Sequence, residues 1–582
     1  MIVSGEWLRT SNLLIMIKKP IPTTVPTHPN PTYFPQSGTA FAVRLLADRV
    51  NWLSVVDTII PWDRARARIS PSVLALMLVI NVLSHRNPLY AVERWAETLP
   101  LVLLWGDAVQ ASQFNDDALG RTLEDLAHYG PQLLATIGSR MQVVHPTLTD
   151  LLHSDTTAYS LMGDYPSSES GPSAPITLTW GHSKDHRPDL KQIMAGVTMD
   201  AAGCVLGGQM LSGNTADVTW NKTWVDQLAH DFPEDFWKDK CYIADSALFS
   251  AETIQRLRQT GMHWLGRLPA RFALCGDLKT QAWASERQAW KPLESVGDAP
   301  GTAAVYHVQT FDVTFLGEPA RAFVYHSSAL DKKKEHSLQR DLAKERARYD
   351  RWNKTLARKT FSTAQEAAQA ASQLLESAAS RWHTATPEVA EQTLVVRRRG
   401  RPKAETAPDT QQVYTVTLHV TDPTGEVVQA ERQRRATWIL LTDRMTLDAQ
   451  TALDDYKGQH HNEQGFRWTK SPIHLGAFWL EKPERVAGLG YLLLLALQFA
   501  RFMRAVVRAA LQGQPPLELP HRRVTRPSDT VILEVLHDLD MRYRSDGAQS
   551  WFQWAAVRPY QRRILDALQI PIDYGFVWDA SG

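Results

Sequence analysis

The sequence has little net charge and few cysteines, and both shortages limit what the protein can be. Its 63 Lys and Arg residues nearly balance its 62 Asp and Glu residues, so the net charge is only +1. No overall basic field therefore marks it as a nucleic-acid-binding protein. The three cysteines, Cys204, Cys241 and Cys275, form no C-x-x-C pair, which argues against a zinc ribbon and predicts a reducing compartment.

The sequence also lacks an uncharged run of membrane-spanning length. The runs 69–84 and 486–500 stop short of the roughly 20 residues that a membrane helix needs. The apolar stretch 13–17 is too short for a signal-peptide core, and no basic cluster precedes it. With 582 residues, 44% of them hydrophobic, the chain is long enough for several domains with a sizeable core. We expect no membrane contact.

Composition and periodicity divide the chain into six segments. The N-terminal segment is rich in proline, which predicts a flexible arm without regular structure. The second segment is helical, and we leave open whether it binds DNA or only packs against other parts of the protein. The predicted segments are the arm 1–36, a helical N-terminal domain 37–145, a first core part 146–268, an insertion 269–434, a second core part 435–512 and a helical C-terminal region 513–582.

The first core part shows an α/β pattern. Three strand-like stretches are followed by a helix, a strand, a second helix and a further strand, which fits a mixed sheet covered by helices. Asp155 is predicted near the end of the first strand, and Asp245 follows a short apolar strand. A carboxylate at the end of a buried strand can leave the sheet for a cleft, although aspartate after a strand is also common turn chemistry.

A second polar feature is the stretch 456–470, YKGQHHNEQGFRWTK, which continues from the preceding residues without a proline and predicts one helix. At about 100° per residue, Tyr456, Gln459, Glu463, Arg467 and Lys470 share one narrow stripe. A solvated helix face is the alternative. Because the flanking segments ATWILLTD and GYLLLLALQF indicate buried core, we favour a stripe that faces a ligand. One carboxylate for a cation, with a phenol, an amide and two cations for phosphates, suits a phosphodiester.

The spacing Tyr456-x2-Gln459-x3-Glu463-x6-Lys470 resembles the tyrosine–arginine–glutamate–lysine signature of DDE insertion-sequence transposases. Gln459 stands where the signature has arginine. The resemblance implies an α/β fold: a ribonuclease-H-like mixed-sheet core split by a large α+β insertion. It also implies that Asp155, Asp245 and Glu463 are catalytic and bind Mg²⁺, with Mn²⁺ as a substitute. By the same resemblance, Tyr456 and Lys470 contact phosphates near the transposon end.

Further DNA contacts are predicted outside the signature. The segment 181–192, GHSKDHRPDLKQ, also resembles a block found in these transposases, and we expect Lys184 and Arg187 to meet phosphates. A solvated loop is an equal alternative. Arg399 and Arg401 lie in RRRGRPK, which resembles the core of an AT-hook, a motif whose arginines enter narrow A·T minor grooves.

The function implied is that of a transposase. It would be an endonuclease that cuts double-stranded DNA at terminal inverted repeats and joins the freed end to target DNA. We expect a homodimer when bound to DNA, in the bacterial cytoplasm and associated with the nucleoid. Two alternatives stay open: a metal-dependent nuclease of the same fold without strand transfer, and an inactive DNA-binding relative, a reading that Gln459 supports. We predict that Arg467 or His460 supplies the charge that Gln459 lacks.

Overall fold

The computed structural model of the chain separates into two compact units. The first contains Met1–Gly266 and Asp455–Gly582, and the second contains Arg267–Asp454. The fold is mixed α/β. The structure describes residues 17–20, 32–65, 67–106, 108–146, 150–163, 165, 176–183, 185, 187–231, 237–284, 289–293, 305–395, 410–471, 480, 482–545, 549–572 and 574–579.

The helices and strands are numbered in chain order. The α-helices are α1 (Gly38–Arg49), α2 (Trp52–Ile59), α3 (Pro71–Leu83), α4 (Leu89–Ala96), α5 (Leu101–Trp105), α6 (Asp116–Val144), α7 (Asp217–Asp231), α8 (Ala251–Gln259), α9 (Ala273–Ala284), α10 (Ser328–Leu356), α11 (Ala364–Glu376), α12 (Gly425–Ala436), α13 (Ala449–Lys457), α14 (His460–Lys470), α15 (Pro483–Leu511), α16 (Asp529–His537) and α17 (Pro559–Ala567). The strands are β1 (Ile17–Pro20), β2 (Thr32–Phe34), β3 (Leu151–Ser160), β4 (Gln192–Asp200), β5 (Val205–Ser212), β6 (Cys241–Ala244), β7 (His263–Arg267), β8 (Lys291–Pro292), β9 (Tyr306–Phe315), β10 (Glu318–Ser327), β11 (Thr384–Val395), β12 (Thr410–Thr421), β13 (Thr437–Thr442), β14 (Leu517–Leu519), β15 (Arg522–Val524), β16 (Met541–Ser545), β17 (Gln549–Trp554) and β18 (Tyr574–Asp579).

The first unit begins with the helices predicted over 37–145. Pro71 occupies the first turn of α3, where its missing N–H costs no hydrogen bond, and every residue of this apolar helix is buried. Asn115 caps α6 by accepting a hydrogen bond from the backbone N–H of Ala118 at 3.0 Å. These helices form their core together with α15, which runs along α6.

Helix α15 is the central helix of the first unit. A Cβ atom on Gly488 would lie 1.8 Å from the carbonyl oxygen of Leu123, so glycine is what allows α15 to approach α6 this closely. By length and composition α15 would also span a membrane. However, 94% of its most apolar window is buried inside the protein, which is the position of a core helix.

The sheet of the first unit carries the predicted α/β pattern. Its strand order is β5-β4-β3-β6-β7. Strands β4 and β5 are antiparallel additions to β3, whereas β3, β6 and β7 run parallel. The predicted order of three strands, helix, strand, helix and strand is confirmed by β3, β4, β5, α7, β6, α8 and β7.

Two predictions for the chain termini are wrong. The proline-rich arm contains β1 and β2, which lie at the two edges of a sheet ordered β1-β18-β17-β16-β2. Proline is tolerated there because an edge strand has one side without ladder hydrogen bonds. The C-terminal region predicted to be helical also contains β14–β18, and Trp551, Phe552 and Trp554 lie in β17 rather than in a helix. Aromatic residues favour strands when two neighbouring strands are available for pairing.

The second unit holds the predicted insertion and continues to Asp454, beyond the predicted boundary at 434. Its strands β13, β10, β9 and β8 pair antiparallel in that order. Helices α10 and α11 lie in its middle, and β11 pairs with β12 in a long hairpin. Tyr349 and Leu356 of α10, Ala367 of α11 and Val416 of β12 form a shared core.

Glu345 fastens α10 to the segment that leads into β11. Its carboxylate accepts hydrogen bonds from the backbone N–H groups of Arg381, Trp382 and His383, at 2.8, 3.2 and 3.2 Å. The ring of His383 also lies 2.8 Å from it. Burial raises the pKa of this carboxyl group, but these hydrogen bonds outweigh burial and hold its pKa below the ordinary value.

We predict that Glu345→Gln destabilises the protein by about 2 kcal/mol at neutral pH, because an amide replaces charge-assisted hydrogen bonds with weaker ones. A group with a lowered folded-state pKa stabilises the fold above its unfolded pKa and loses that contribution as the pH falls through the folded pKa. The difference between parent and variant should therefore shrink below about pH 4.5. Urea unfolding at several pH values measures it. The exposed Glu376→Gln is the control, and an equal loss there would contradict the prediction.

Candidate active site

Asp155 lies on β3, and Asp245 directly follows the neighbouring strand β6. The parallel register of β3 and β6 pairs Leu151 with Cys241 and His153 with Ile243. Continued by two residues, this register sets Asp155 opposite Asp245, and neighbouring strands are about 4.8 Å apart. The sequence predicts Asp155 near the end of β3, but the residue lies in the middle of that strand. Asp155 nevertheless lies where the pairing of β3 with β6 ends, because β6 stops one residue before Asp245.

Backbone N–H groups hold one oxygen of each carboxylate. Asp155 Oδ1 accepts from the N–H of Thr156 at 2.7 Å, and Asp245 Oδ1 accepts from the N–H of Ala247 at 2.8 Å. The second contact caps a short 3₁₀ turn directly after β6. Burial raises the pKa of the nearby Tyr242, and the negative charges of Asp245 and Asp155 raise it further. Both carboxylates thus act on the same buried phenol.

The single helix predicted over 456–470 is wrong. Helix α13 ends at Lys457 and α14 begins at His460. In between, the N–H of Gly458 donates to the carbonyl of Asp455 and that of Gln459 to the carbonyl of Tyr456, which are the tighter contacts of a 3₁₀ turn. Of the predicted stripe, α14 carries Glu463, Arg467 and Lys470, whereas Tyr456 belongs to α13.

The break lies where the chain passes closest to β3. A Cβ atom on Gly458 would lie 2.7 Å from the imidazole ring of His153. Asn462, fully buried, donates from Nδ2 to the backbone carbonyl of His153 at 2.9 Å. Burial lowers the pKa of His153 to about 4, so this ring is neutral at physiological pH. These contacts fix the start of α14 on β3, two residues from Asp155.

Glu463 and Asp155 line the same open cavity of about 740 Å³. Glu463 and Arg467 are exposed on its wall. The ammonium of Lys470 lies 2.8 Å from Asp185 Oδ1 and 5.8 Å from the centre of the Tyr159 ring. The cavity therefore combines three carboxylates and two cations. Its described lining consists of Asp155, Thr156, Thr157, Asp185, Glu463, Phe466, Arg467, Lys470 and Ser471.

The other predicted site residues are placed differently. Asp245, Tyr456, Gln459 and Arg187 are not among the described residues that line the cavity. The amide nitrogen of Gln459 is buried and has no hydrogen-bond partner within the described parts of the chain. Arg187 is exposed and pairs with Asp189, at 2.7 Å. The predicted contacts Lys184, Arg399 and Arg401 lie outside the described residues.

Sequence reasoning missed several residues that shape the site. Asp185, which pairs with Lys470, lies in the segment 181–192 that drew attention only for its cations. Thr156 lines the cavity and donates from Oγ1 to Asp217 at 2.5 Å, which ties β3 to the first turn of α7. A search of 181–192 for acids as well as for bases would have found Asp185.

The described carboxylates do not form a complete metal site. Within the residues that the structure describes, no three His, Cys, Asp or Glu side chains stand close enough together to hold a metal ion. The structure brings Asp155 level with Asp245 and places Glu463 on the wall of the cavity that Asp155 also lines. The chemistry of these groups is that of hard oxygen donors, which suit Mg²⁺ and Mn²⁺.

We predict that Gly458→Ala lowers the free energy of unfolding by about 1–3 kcal/mol, because the added Cβ overlaps the buried ring of His153. Chemical denaturation of both proteins measures the difference. Gly276→Ala is the matched control, since an added Cβ there meets nothing within 4 Å and the residue lies inside α9. The control should be neutral or gain up to about 1 kcal/mol. Equal effects at the two glycines would contradict the close contact with His153.

Comparison with known proteins gives two family matches. Residues 42–137 match the family described as "Domain of unknown function (DUF4277)", and residues 171–499 match the family described as "Transposase DDE domain". No curated protein matches the sequence. A solved structure, the piggyBac transposase synaptic complex with hairpin DNA, is 10% identical over 87% of this chain and 81% of that chain, with a TM-score of 0.35. Because the transposase match covers more than half of the residues, the chain belongs to the DDE transposase family.

Proposed function

We propose that the chain is a transposase that cuts double-stranded DNA at the ends of its element and joins the freed 3′-hydroxyl to target DNA. The observation that carries the proposal is the register of β3 and β6, which sets Asp155 level with Asp245, while Glu463 shares a cavity with Asp155. Membership of the DDE transposase family supports it. The strand order β5-β4-β3-β6-β7, with α14 on β3, is what we propose to be a ribonuclease-H-like core.

The proposed cofactor is Mg²⁺, with Mn²⁺ as a substitute, and the family typically uses divalent metals. Asp155 would hold both ions, Asp245 one and Glu463 the other. Two such ions, when bound, activate the attacking hydroxyl and stabilise the leaving oxygen of an in-line displacement. Glu463 is exposed on its helix, and its flexible side chain would have to approach the two aspartates to complete the site. The repulsion between like charges keeps carboxylates apart until cations compensate them.

The cations on the cavity wall would bind phosphates of the DNA. Arg467 is exposed beside Glu463 and takes over the role of the arginine that Gln459 replaces; His460, also exposed, is the alternative. Lys470 would exchange its present partner, Asp185, for a phosphate. The predicted DNA contacts that no described interaction tests stay predictions: Tyr456, Gln459, Lys184, Arg187, Arg399 and Arg401.

The test is a strand-transfer assay with the full-length protein. Its substrate is linear DNA that ends in the inverted repeats flanking the gene, mixed with a supercoiled target plasmid and Mg²⁺. A joined product is the expected result. Cleavage without joining would indicate a nuclease of the same fold, and binding without cleavage an inactive relative. Either of these outcomes would overturn the transposase proposal.

We predict that Asp155→Asn, Asp245→Asn and Glu463→Gln each abolish cleavage of the inverted-repeat DNA and leave DNA binding largely intact. Each change removes a charged ligand and barely changes the shape of the side chain. Gel assays of cleavage and fluorescence anisotropy of binding measure the two effects separately. The exposed Glu376→Gln of α11 controls for the loss of one carboxylate and should cleave like the parent. Strong cleavage by any of the three variants in Mg²⁺ would remove that residue from the site.

We predict that Arg467→Ala weakens binding to cut element ends, because an exposed guanidinium on the cavity wall is lost. The measurement is a titration of labelled, pre-cut ends with parent and variant proteins. Arg381→Ala is the matched control, since Arg381 is equally exposed but lies in the second unit. Parent-like binding and cleavage by Arg467→Ala would show that Arg467 does not compensate for Gln459.

A further inference from the structure

Helix α10 of the second unit has one face that packs against its neighbours. It contacts β10, β12 and α12. Its described buried residues are Leu338, Glu345, Tyr349 and Leu356. At about 100° per residue, these four positions fall within about 40° of one another. The packed face of α10 is therefore narrow. The hydrogen bonds that Glu345 accepts hold the helix in one orientation about its own axis.

The opposite face of α10 is basic along its length. Lys333, Arg340, Lys344, Arg351 and Lys354 are all exposed, and we name them the α10 basic stripe. They are spaced by seven, four, seven and three residues, which puts them within about 80° of one another. The centre of this stripe lies about 150° around the helix from the buried residues. The stripe contains no acidic residue.

The acids of α10 whose side chains are described lie off the stripe and pair with cations. Their partners belong to neighbouring elements or to α10 itself, and the charges of Lys344 and Arg340 also act on Asp341. No ion pair is described for any residue of the stripe, among the residues that the structure covers. The pairs are Glu335–Arg432 at 3.3 Å, Asp341–Arg435 at 2.8 Å, Glu345–Arg348 at 3.4 Å and Asp350–Arg346 at 3.8 Å.

The length of the stripe fits a duplex. From Lys333 to Lys354 the helix rises about 32 Å, at about 1.5 Å per residue. One turn of B-DNA is about 34 Å long, and the duplex carries one negative charge per about 1.7 Å of its axis. A row of five cations of this length spans about one turn of a duplex and faces the phosphates that border the grooves on that side.

We propose that the α10 basic stripe binds the phosphate backbone of double-stranded DNA. The inference rests on the proposed function, because it names a second surface through which the transposase holds its DNA. Long, exposed lysine and arginine side chains on one helix face contact phosphates without reading base edges, so the binding is independent of sequence. It contributes affinity and its salt dependence rather than recognition of the inverted repeats.

The experiment measures the affinity of the full-length protein for a 40-base-pair duplex of unrelated sequence, without divalent metal, by fluorescence anisotropy at several salt concentrations. The variant is Lys344→Gln with Arg351→Gln. We expect weaker binding and a plot of log affinity against log salt that is less steep by about 2, since each lost phosphate contact removes about 0.9 from the slope. The charge-conserving exchange of Lys344→Arg with Arg351→Lys should keep the slope of the parent.

The matched control is Lys291→Gln with Arg381→Gln, which removes the same two charges from exposed positions of the same unit. The control should bind like the parent. The inference is overturned if the stripe variant keeps the slope of the parent or if the control loses as much affinity as the stripe variant. Either result leaves the proposed function intact and would indicate an acidic protein as the partner of the stripe. Failure of the parent itself to bind any duplex overturns the proposed function and this inference with it.

Discussion

The hydrogen bond from Asn462 to the backbone of His153 is the contact on which the candidate site depends. The two residues are far apart in the sequence, and both are buried, so this bond and the close passage of Gly458 over the His153 ring hold α14 against β3. Glu463 follows Asn462, and Asp155 lies two residues after His153. A displacement of α14 would therefore separate Glu463 from Asp155 and Asp245. Catalytic geometry tolerates little displacement of this kind.

The sequence was sufficient to predict the parts of the fold that local pattern determines. The order of strands and helices from β3 to β7 followed from apolar runs separated by turn residues, and Asp245 was recognised because β6 is short and uniformly apolar. Strands β4 and β6 are buried along their whole length, so their apolar pattern is strong.

The sequence was insufficient where a distant contact decides the local structure. The break between α13 and α14 lies at Gly458, where an added Cβ atom would come within 2.7 Å of the ring of His153, a residue far earlier in the chain. The edge strand β1 forms because β18, more than 550 residues later, pairs with it. The ion pair between Lys470 and Asp185 likewise joins residues 285 positions apart. Such contacts override intrinsic propensity because burial and pairing contribute more free energy than propensity does.

The distribution of charge over the surface also could not be predicted from the composition of the sequence. A net charge of +1 suggests a protein without a field of its own, yet α10 pairs its described acids with neighbouring cations and presents lysine and arginine to solvent. Interactions between exposed charges are screened over about 10 Å at ordinary salt, so a ligand responds to the charges near it and not to the sum over the chain. The α10 basic stripe, about 32 Å long, is therefore basic to any duplex that lies along it, whatever the composition of the remaining chain. What decides electrostatic binding here is which side of α10 packs against the protein, and that side is set by Leu338, Tyr349 and Leu356.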